Sequence, residues 1–304
     1  MNDRVLFIAN PHAASGKANS RVESAVTSLR DMGVEVELVI THGTGHAIEL
    51  AREAVEHFTV VVAAGGDGTM NEVATGLLLS GQSPSALGLL PLGTGNDLAY
   101  ELKIRDAVHA MEIIQKGRSR TLDAIEVRCH RDGASITRHA MLYAGVGFAG
   151  ELLKRTTPRV KRWFGPRFCY SMGFLLALGS FRAPEMKVRC DERRLAGRKF
   201  LVTAGNTEVV GGRVMRLSPG AKPDDGRMEV NMVEPLNRIQ ALRCFPRLIR
   251  GTHTTLPWVD YSLANRVTVE TSPTVEVQAD GELVGFTPVE FVLRPRAIRV
   301  LAPE

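Results

Sequence analysis

The sequence is poor in cysteine and has no long apolar run. Its four cysteines stand far apart and form no Cys-x-x-Cys pair, which argues against a zinc site and gives no sign of a disulfide framework. The longest apolar run in the middle of the chain, residues 172–178, is too short to span a bilayer. The N-terminal residues lack the long apolar stretch and the cleavage site of a signal peptide. We therefore expect a cytoplasmic protein.

Composition and charge are those of an ordinary globular protein with a mild positive excess. At 304 residues, with 44% hydrophobic and 23% charged, the chain is long enough for two domains and too apolar to be disordered. The net charge of +5 suits a nucleotide, a nucleic acid or an anionic membrane equally well. The distribution of the charges therefore matters more than their sum.

The first part of the chain alternates strand-like runs with helical stretches. The strand-like runs are 4–10, 34–41, 59–64 and 86–93, and the helical stretches are 18–32, 46–58, 70–79, 96–102 and 107–117. The run 59–64 is a continuous run rich in β-branched residues, which is typical of a strand buried on both faces of a parallel sheet. The alternation predicts a Rossmann-like, doubly wound α/β domain over residues 1–122.

From about residue 121 the pattern changes to short runs of alternating apolar and polar residues. These runs are bounded by Gly, Asp, Asn or Pro and include 121–130, 135–148, 199–206 and 227–234. Such a pattern predicts an antiparallel β-sandwich domain over residues 123–304.

Two glycine-rich turns follow the third and fourth predicted strands. They are Gly65-Gly66-Asp67-Gly68-Thr69 and Gly93-Thr94-Gly95-Asn96-Asp97. In an open α/β sheet, ligands bind beyond the carboxyl ends of the strands, where glycine lets backbone amides close around phosphate oxygens. Taken one at a time, each turn is equally a plain strand-to-helix connection with Asp or Asn as the helix cap. Neither is a Walker A or a complete GxGxxG motif.

Taken together, the two turns are more specific. GGDGTMNEV (65–73) and PLGTGND (91–97), preceded by an Asn-Pro loop after the first strand, closely resemble the diacylglycerol kinase catalytic-domain family. That family includes bacterial lipid kinases and is similar to sphingosine and ceramide kinases. The resemblance covers nearly the whole chain. It implies a nucleotide-binding α/β domain and a β-sandwich domain with the active site between them, and a C-terminal segment that returns to the first domain.

The resemblance also implies an ATP site. By position, its residues are Asn10, Thr41, Gly65, Gly66, Asp67, Gly68, Thr69, Met70, Asn71 and Thr94. One departure is the loop 10–17, where Gly16 stands further from Asn-Pro than in the family, so contacts from Ala13 to Gly16 do not carry over.

Two of the acidic residues lie in or directly after the α/β domain. Asp67 lies inside a glycine loop, where a bare carboxylate would repel phosphate, so we expect a metal ion or a polar network beside it, or a simple turn. Asp123 has the parity of Ile125 and Val127 and therefore shares a buried face, which is costly unless it is paired or functional. A strand-end Asp bonded to the backbone is the alternative.

Two further acidic motifs lie in the second domain. Asp280-Gly281-Glu282 reads as a hairpin turn with a solvated Glu282; the resemblance instead makes Glu282 the general base and groups it with Asp67 and Asp123 as one catalytic cluster. The segment 217–230 resembles the family's magnesium loop, in which Asp225 supplies a carboxylate and Lys222 and Arg227 supply backbone oxygens. A plain Asp-Gly turn, or Asp224 as the ligand, are the alternatives.

Two segments combine basic and apolar side chains. In residues 152–168 and 237–250, arginine and lysine alternate with aromatic and aliphatic residues, as in proteins that bind an anionic bilayer surface. A solvated helix face is the alternative for each segment, and no nucleic-acid motif accompanies the charge. We expect peripheral membrane association and no nucleic-acid partner, and a homodimer is left open.

The function predicted on these grounds is that of a lipid kinase that uses ATP and Mg²⁺ and phosphorylates a lipid hydroxyl such as that of diacylglycerol. The alternatives are an NAD kinase, which shares the GGDGT loop, and a non-catalytic nucleotide- or lipid-binding module. The sequence does not identify the lipid.

Overall fold

The computed structural model describes residues 4–11, 18–81, 84–156 and 172–303, without the side chains of residues 18 and 19. The chain divides into two compact units. The first consists of Met1–Leu122 and Arg296–Glu304, and the second of Asp123–Pro295. The last strand therefore begins in the second unit and ends in the first.

The first unit is built around a parallel sheet. Its strands are β1 (Arg4–Ala9), β2 (Glu35–Ile40), β3 (Val60–Gly65) and β4 (Ala86–Pro91), and its helices are α1 (Ala18–Asp31), α2 (His46–Ala54), α3 (Asp67–Leu79), α4 (Asp97–Glu101) and α5 (Ala107–Lys116). The strand order is β4-β3-β1-β2. Val61 to Gly65 are all buried, as expected of a strand covered on both faces. The predicted doubly wound α/β domain is confirmed.

Two helix boundaries differ from the predicted ones by three residues or more, and the other helices by about one residue at an end. Helix α3 begins at Asp67, inside the first glycine loop, because Gly66 takes the extended cap position and an acidic residue is favourable in the first turn. Helix α2 ends at Ala54 rather than at residue 58, because the amides of His57 and Phe58 both donate to the carbonyl of Ala54, each at 3.0 Å, and close the chain into a turn there.

The second unit contains the antiparallel strands. They are β5 (Ser119–Arg131), β6 (Ala134–Ala140), β7 (Tyr143–Gly147), β8 (Glu185–Cys190), β9 (Arg193–Arg198), β10 (Leu201–Gly205), β11 (Val209–Val210), β12 (Met215–Arg216), β13 (Glu229–Val233), β14 (Val259–Leu263), β15 (Arg266–Ser272), β16 (Glu276–Ala279) and β17 (Glu282–Leu301). One layer has the order β14-β13-β10-β7-β16-β17, and the other joins β9, β8, β15, β17, β5 and β6.

The long strand β17 belongs to both layers. It pairs with β16 near its start and with β15 from Val289 to Val292. Alternating inward residues of both layers form one apolar core, which includes Val146, Val202 and Phe291. The predicted β-sandwich is confirmed. One predicted run, 135–148, is divided into β6 and β7, because the backbone at Met141 and Leu142 turns toward an acidic side chain described below.

Helices cover one side of the first layer. They are α6 (Phe148–Arg155), α7 (172–180) and α8 (Arg238–Arg250). Phe148 stacks on Phe200, which directly precedes β10, with ring centroids 4.5 Å apart, and Phe174 of α7 contacts Phe245 of α8 at the same distance. Within the described ranges no helix combines the length and the apolar composition that a membrane crossing requires.

Candidate active site

The carboxyl ends of β1, β2 and β3 bring the predicted nucleotide residues of the first unit together. Asn10 follows β1, and its side-chain amide donates to Thr69 Oγ1 at the start of α3, 3.4 Å away. Thr41 follows β2 and donates its backbone amide to Ala9 of β1 at 2.9 Å. Parallel strands end at one edge of a sheet, so residues distant in sequence share this edge. The predicted contacts of residues 13–16 lie outside the described residues.

The two glycine loops touch each other through their main chains. A Cβ added to Gly93 would lie 2.5 Å from the Cα of Gly66, closer than any real side chain approaches a backbone. The second loop is closed by Asn96, whose side chain accepts from Gly93 N at 3.0 Å and donates to Gly93 O at 2.8 Å. Glycine is required at these positions because a Cβ would separate the two loops.

Asp67 fastens the second loop to the first. Its two carboxylate oxygens accept hydrogen bonds from the backbone amides of Asn96, at 2.8 Å, and Asp97, at 2.6 Å. Burial raises the pKa of Asp67, and these backbone hydrogen bonds oppose the rise. The sequence left open a metal ion, a polar network or a simple turn at Asp67, and the structure contains the polar network.

The remaining predicted nucleotide residues take different positions around the two loops. The first backbone amides of α3, at Asp67 to Thr69, have no partner within the helix and are therefore suited to an anionic ligand. Met70 is fully buried, so that only its backbone can face a nucleotide. Asn71 is also buried, whereas Thr94 is exposed at the tip of the second loop.

One residue of this region was not singled out from sequence. Glu72 of α3 accepts hydrogen bonds from the backbone amides of Gly45 and Ala47, at 2.8 and 3.3 Å, and so caps the start of α2. The 43–47 loop is thereby held beside α3. No local signal points to this role, since the partners are 27 and 25 positions away.

In the second unit, Asp123 is completely buried and bonded to backbone. Its Oδ2 accepts from Gly226 N at 2.7 Å, and its own amide donates to Pro223 O at 2.6 Å. Both partners belong to the predicted magnesium loop. The alternative prediction for Asp123, a strand-end carboxylate bonded to backbone, is therefore confirmed. Asp123 thereby joins its strand to the segment 217–230, which is distant in sequence.

A hydrogen-bond chain connects Asp123 to the Asp280-Gly281-Glu282 motif. The side-chain amide of Asn206 donates to the carbonyls of Asp123, at 3.0 Å, and Met141, at 2.8 Å. The amide of Met141 in turn donates to Asp280 Oδ2 at 2.7 Å. Asp280 Oδ1 accepts from the amides of Leu142 and Tyr143, each at 2.9 Å. Three predicted acidic motifs of this unit are thus held on one network.

Glu282 follows a tight turn between β16 and β17. Ala279 pairs with Glu282, and the two central residues, Asp280 and Gly281, have φ angles of 46° and 84°. This is the two-residue hairpin that an Asp-Gly pair favours. Because Asp280 is fixed by three backbone amides, the position of Glu282 at the first residue of β17 is fixed as well. Its catalytic role stays a prediction.

The predicted magnesium loop has an exposed acidic turn at its centre. Asp225 Oδ1 accepts from Arg227 N at 3.0 Å around Gly226. Among the described residues, no three His, Cys, Asp or Glu side chains gather into a metal cage. One carboxylate with backbone oxygens and waters is nevertheless a normal magnesium environment, so the residues present fit the ion. Asp224 and Asp225 are both exposed, and the choice between them stays open.

An apolar pocket opens in the same unit. It encloses about 770 Å³ of empty space, its open mouth included. Strands β7, β10 and β13 form one wall, and helices α6, α7 and α8 contribute Phe148, Phe174 and Phe245. Tyr143, whose amide holds Asp280, also lines it. Sequence reasoning missed this pocket because its walls come from segments far apart in the chain.

Asp67 belongs to the first unit, and Asp123 and Glu282 belong to the second. Their grouping as one catalytic cluster therefore stays a prediction. Within each unit, the predicted residues are brought together: those of the ATP site at the sheet edge, and those of the acidic motifs on one hydrogen-bond network.

Comparison with known families gives two matches that together cover most of the chain. Residues 4–127 match the diacylglycerol kinase catalytic domain, and residues 140–302 match the YegS C-terminal NAD kinase beta sandwich-like domain. A protein of Staphylococcus aureus strain bovine RF122 named diacylglycerol kinase is 30% identical over 305 residues, which span 100% of this chain and 93% of that protein.

Solved structures share the fold at lower identity. A diacylglycerol kinase from Bacillus anthracis strain Sterne is 20% identical, with a TM-score of 0.73 and coverage of 99% of this chain and 97% of that chain. Yeast NADH kinase, solved with NADH, is 13% identical, with a TM-score of 0.57 and coverage of 100% and 84%. Both support the two-part architecture alone.

Proposed function

Because the chain belongs to the diacylglycerol kinase family, in which an alcohol group receives the phosphoryl group, we propose that it transfers the γ-phosphate of ATP to the hydroxyl of a membrane lipid, with Mg²⁺ as the metal. The family makes it a kinase. The lipid nature of the acceptor, its identity and the metal are the parts proposed here.

The observation that carries the proposal is the apolar pocket beside the acidic network. A lipid alcohol must bury its chain while its hydroxyl reaches a base, and the pocket shares Tyr143 and strand β7 with the network that fixes the Glu282 turn. A nicotinamide dinucleotide carries charged phosphates and sugar hydroxyls, for which this lining offers few partners. The pocket therefore favours a lipid over NAD as acceptor.

The proposed roles follow from the chemistry of phosphoryl transfer, which depends on positioning and on charge stabilisation. Backbone amides of the two glycine loops would hold phosphate oxygens, and Asp67 keeps the loops together. Glu282 would accept the proton of the lipid hydroxyl as the oxygen attacks phosphorus. Asp123 would hold the predicted magnesium loop in position through its hydrogen bond from Gly226 N.

Magnesium would be held by Asp225 or Asp224, with backbone oxygens of Lys222 and Arg227. When bound, the ion would neutralise negative charge that the carboxylates and phosphates bring together. Nearby, burial raises the pKa of Glu229 to about 7, so that this carboxyl group adds only part of a charge at neutral pH.

The test is a comparison of acceptors for the pure protein. Labelled ATP is incubated with a panel of lipid alcohols and, separately, with NAD, and the phosphorylated products are identified by mass spectrometry. We expect a phosphorylated lipid and no NADP. Labelled NADP with unlabelled lipid would instead favour the NAD kinase, and ATP binding without any product would favour a non-catalytic module.

Helix α8 supplies a surface suited to an anionic bilayer, and we propose that it docks there. Its exposed apolar residues, Ile239, Leu242 and Ile249, recur at helical spacing on one stripe. Arg243, Arg247 and Arg250 form the adjacent stripe, and the helix has no acidic residue.

The opposite face of helix α8 lines the pocket with Ala241, Cys244 and Phe245. The second basic segment, 157–168, lies outside the described residues.

Neutralising the basic stripe tests this surface. Since each arginine near an anionic surface contributes about 1 kcal/mol, the triple variant Arg243→Gln, Arg247→Gln and Arg250→Gln should weaken binding to phosphatidylglycerol vesicles by about 100-fold. Vesicle sedimentation measures the change. Wild-type binding should fall as salt rises, because exposed charges are screened. The exposed Arg194→Gln on β9 is the control; equal binding by the triple variant and wild type would contradict the proposal.

A further inference from the structure

Besides Tyr143 and Cys244, the wall of the apolar pocket carries three polar side chains that are almost fully buried. Thr203 and Asn231 are each 1% exposed, and His253 is 3% exposed. Thr203 and Asn231 lie directly opposite each other on the paired strands β10 and β13, so their side chains share the face that the pocket occupies. Most of the other lining is aliphatic or aromatic.

Two of these side chains have an oxygen atom that bonds to nothing in the described part of the chain. They are Thr203 Oγ1 and Asn231 Oδ1. The orientation of the Asn231 amide is fixed, because its Nδ2 donates to Leu217 O at 3.0 Å. Asn231 Oδ1 is therefore a pure acceptor that requires a donor.

His253 can contribute without adding charge. Burial lowers its pKa, an effect that the nearby Leu217 backbone opposes only in part, so that the ring is neutral at pH 7. A neutral imidazole has one donor and one acceptor nitrogen. Leu217 is thus beside both Asn231 and His253, which places the two polar groups near one point of the wall.

Such an arrangement is expensive in an empty or purely apolar site. An unpaired buried polar group destabilises the folded protein, whereas Val and Leu would fill the same positions without that loss of stability. The pocket therefore requires a partner that combines an apolar chain with a hydrogen-bond donor. An ester carbonyl accepts but does not donate, so it cannot satisfy Asn231 Oδ1.

We propose that the pocket selects a lipid alcohol that carries a second hydrogen-bond donor, an amide N–H or a further hydroxyl, and that Asn231 with Thr203 binds this donor. The inference rests on the proposed lipid kinase activity and specifies the class of acceptor. In a 1,2-diacylglycerol the only donor is the hydroxyl that receives phosphate. That lipid would leave Asn231 unpaired and should be the poorer substrate.

The experiment uses two lipids that differ by one hydrogen-bond donor. They are N-oleoylethanolamine and its N-methyl analogue, both of which keep the alcohol and the acyl chain. For the wild type, we expect kcat/KM to be about 5- to 150-fold higher for the lipid with the N–H, the ratio that corresponds to a hydrogen bond of about 1–3 kcal/mol. In Asn231→Leu, which removes the acceptor, the ratio should fall to about one.

A second variant protects the test against misfolding. Thr203→Val is nearly isosteric and leaves the Asn231–Leu217 hydrogen bond in place, and it should also reduce the preference for the N–H lipid. An unchanged ratio in both variants, or equal kcat/KM for the two lipids in the wild type, would overturn the proposal.

A binding measurement separates this proposal from the kinase assignment. Cys244 lines the pocket, so a bound lipid should slow its alkylation, which peptide-resolved mass spectrometry follows at mildly alkaline pH because burial raises the pKa of this thiol. The N–H lipid should protect Cys244 at lower concentration than the N-methyl lipid, and only in the wild type. Selective protection of Cys244 without phosphorylation would reject the kinase assignment and support the selectivity of the pocket. Phosphorylation without selective protection would support the kinase assignment and reject the selectivity.

Discussion

Replacing Glu282 with glutamine should reduce lipid phosphorylation by about 10²- to 10⁴-fold, the usual contribution of a positioned general base. Glutamine keeps the size and one acceptor oxygen, so the hairpin set by Asp280 and Gly281 should be unchanged. ATP should therefore bind to the variant with nearly wild-type affinity. Single-turnover phosphorylation and equilibrium ATP binding, measured side by side, check the two expectations.

A matched control is Glu270→Gln, an exposed carboxylate on β15 of the same unit. It should leave turnover and ATP binding as in the wild type. Wild-type turnover by Glu282→Gln would reject Glu282 as the base. A loss of ATP binding equal to the loss of turnover would show that the residue acts on nucleotide affinity and not on proton transfer.

Replacing Asp67 with asparagine should weaken ATP binding by roughly 10- to 100-fold and lower the melting temperature. Two backbone amides, from Asn96 and Asp97, converge on the carboxylate. Asparagine can accept only one of them, and its NH₂ group would face the other donor, at a cost of about 1–3 kcal/mol for a buried unpaired amide. The two glycine loops should then separate, which lowers the affinity for ATP.

The measurements for this variant are the KM for ATP, kcat and the thermal midpoint. The control is Asp106→Asn at the N-cap of α5, which accepts one backbone amide, from His109 at 2.9 Å. Asparagine caps helices as well as aspartate does, so the control should change little. An unchanged KM and midpoint in Asp67→Asn, with kcat reduced, would contradict the positioning role and favour a direct catalytic one.

The two units differ in how far their candidate residues could be predicted. In the first, Asn10 and Gly93 are the last residues of predicted strands and Gly66 comes shortly after one, and parallel strands carry such residues to one edge by geometry alone. In the second, the joining groups are Asn206, Met141 and Asp280, and the bond from Met141 to Asp280 spans 139 positions. No local pattern marks Asn206 as the residue that links two acidic motifs.

The same limit applies to the pocket. In the sequence, Phe148, Phe174 and Phe245 are ordinary apolar residues, and nothing local separates a residue that fills a core from one that lines a cavity. Asn231 shows the problem most clearly, because in the sequence it is simply a polar residue between the apolar Val230 and Met232. Its unpaired oxygen becomes visible only when β10, β13 and the loop at Leu217 are packed together.

By itself, the sequence determined the two architectures and the positions of the glycine loops and acidic turns. Periodicity, β-branched runs and turn residues act over a few neighbouring positions, and the hydrophobic effect then decides which face is buried. Only the tertiary structure decided that Asp67 binds the second loop, that Asp123 joins the acidic loop, and that an apolar pocket lies beside the Glu282 turn. These three features depend on hydrogen bonds and packing between segments that are distant in sequence. Such contacts form, and contribute to stability, only when the chain has folded.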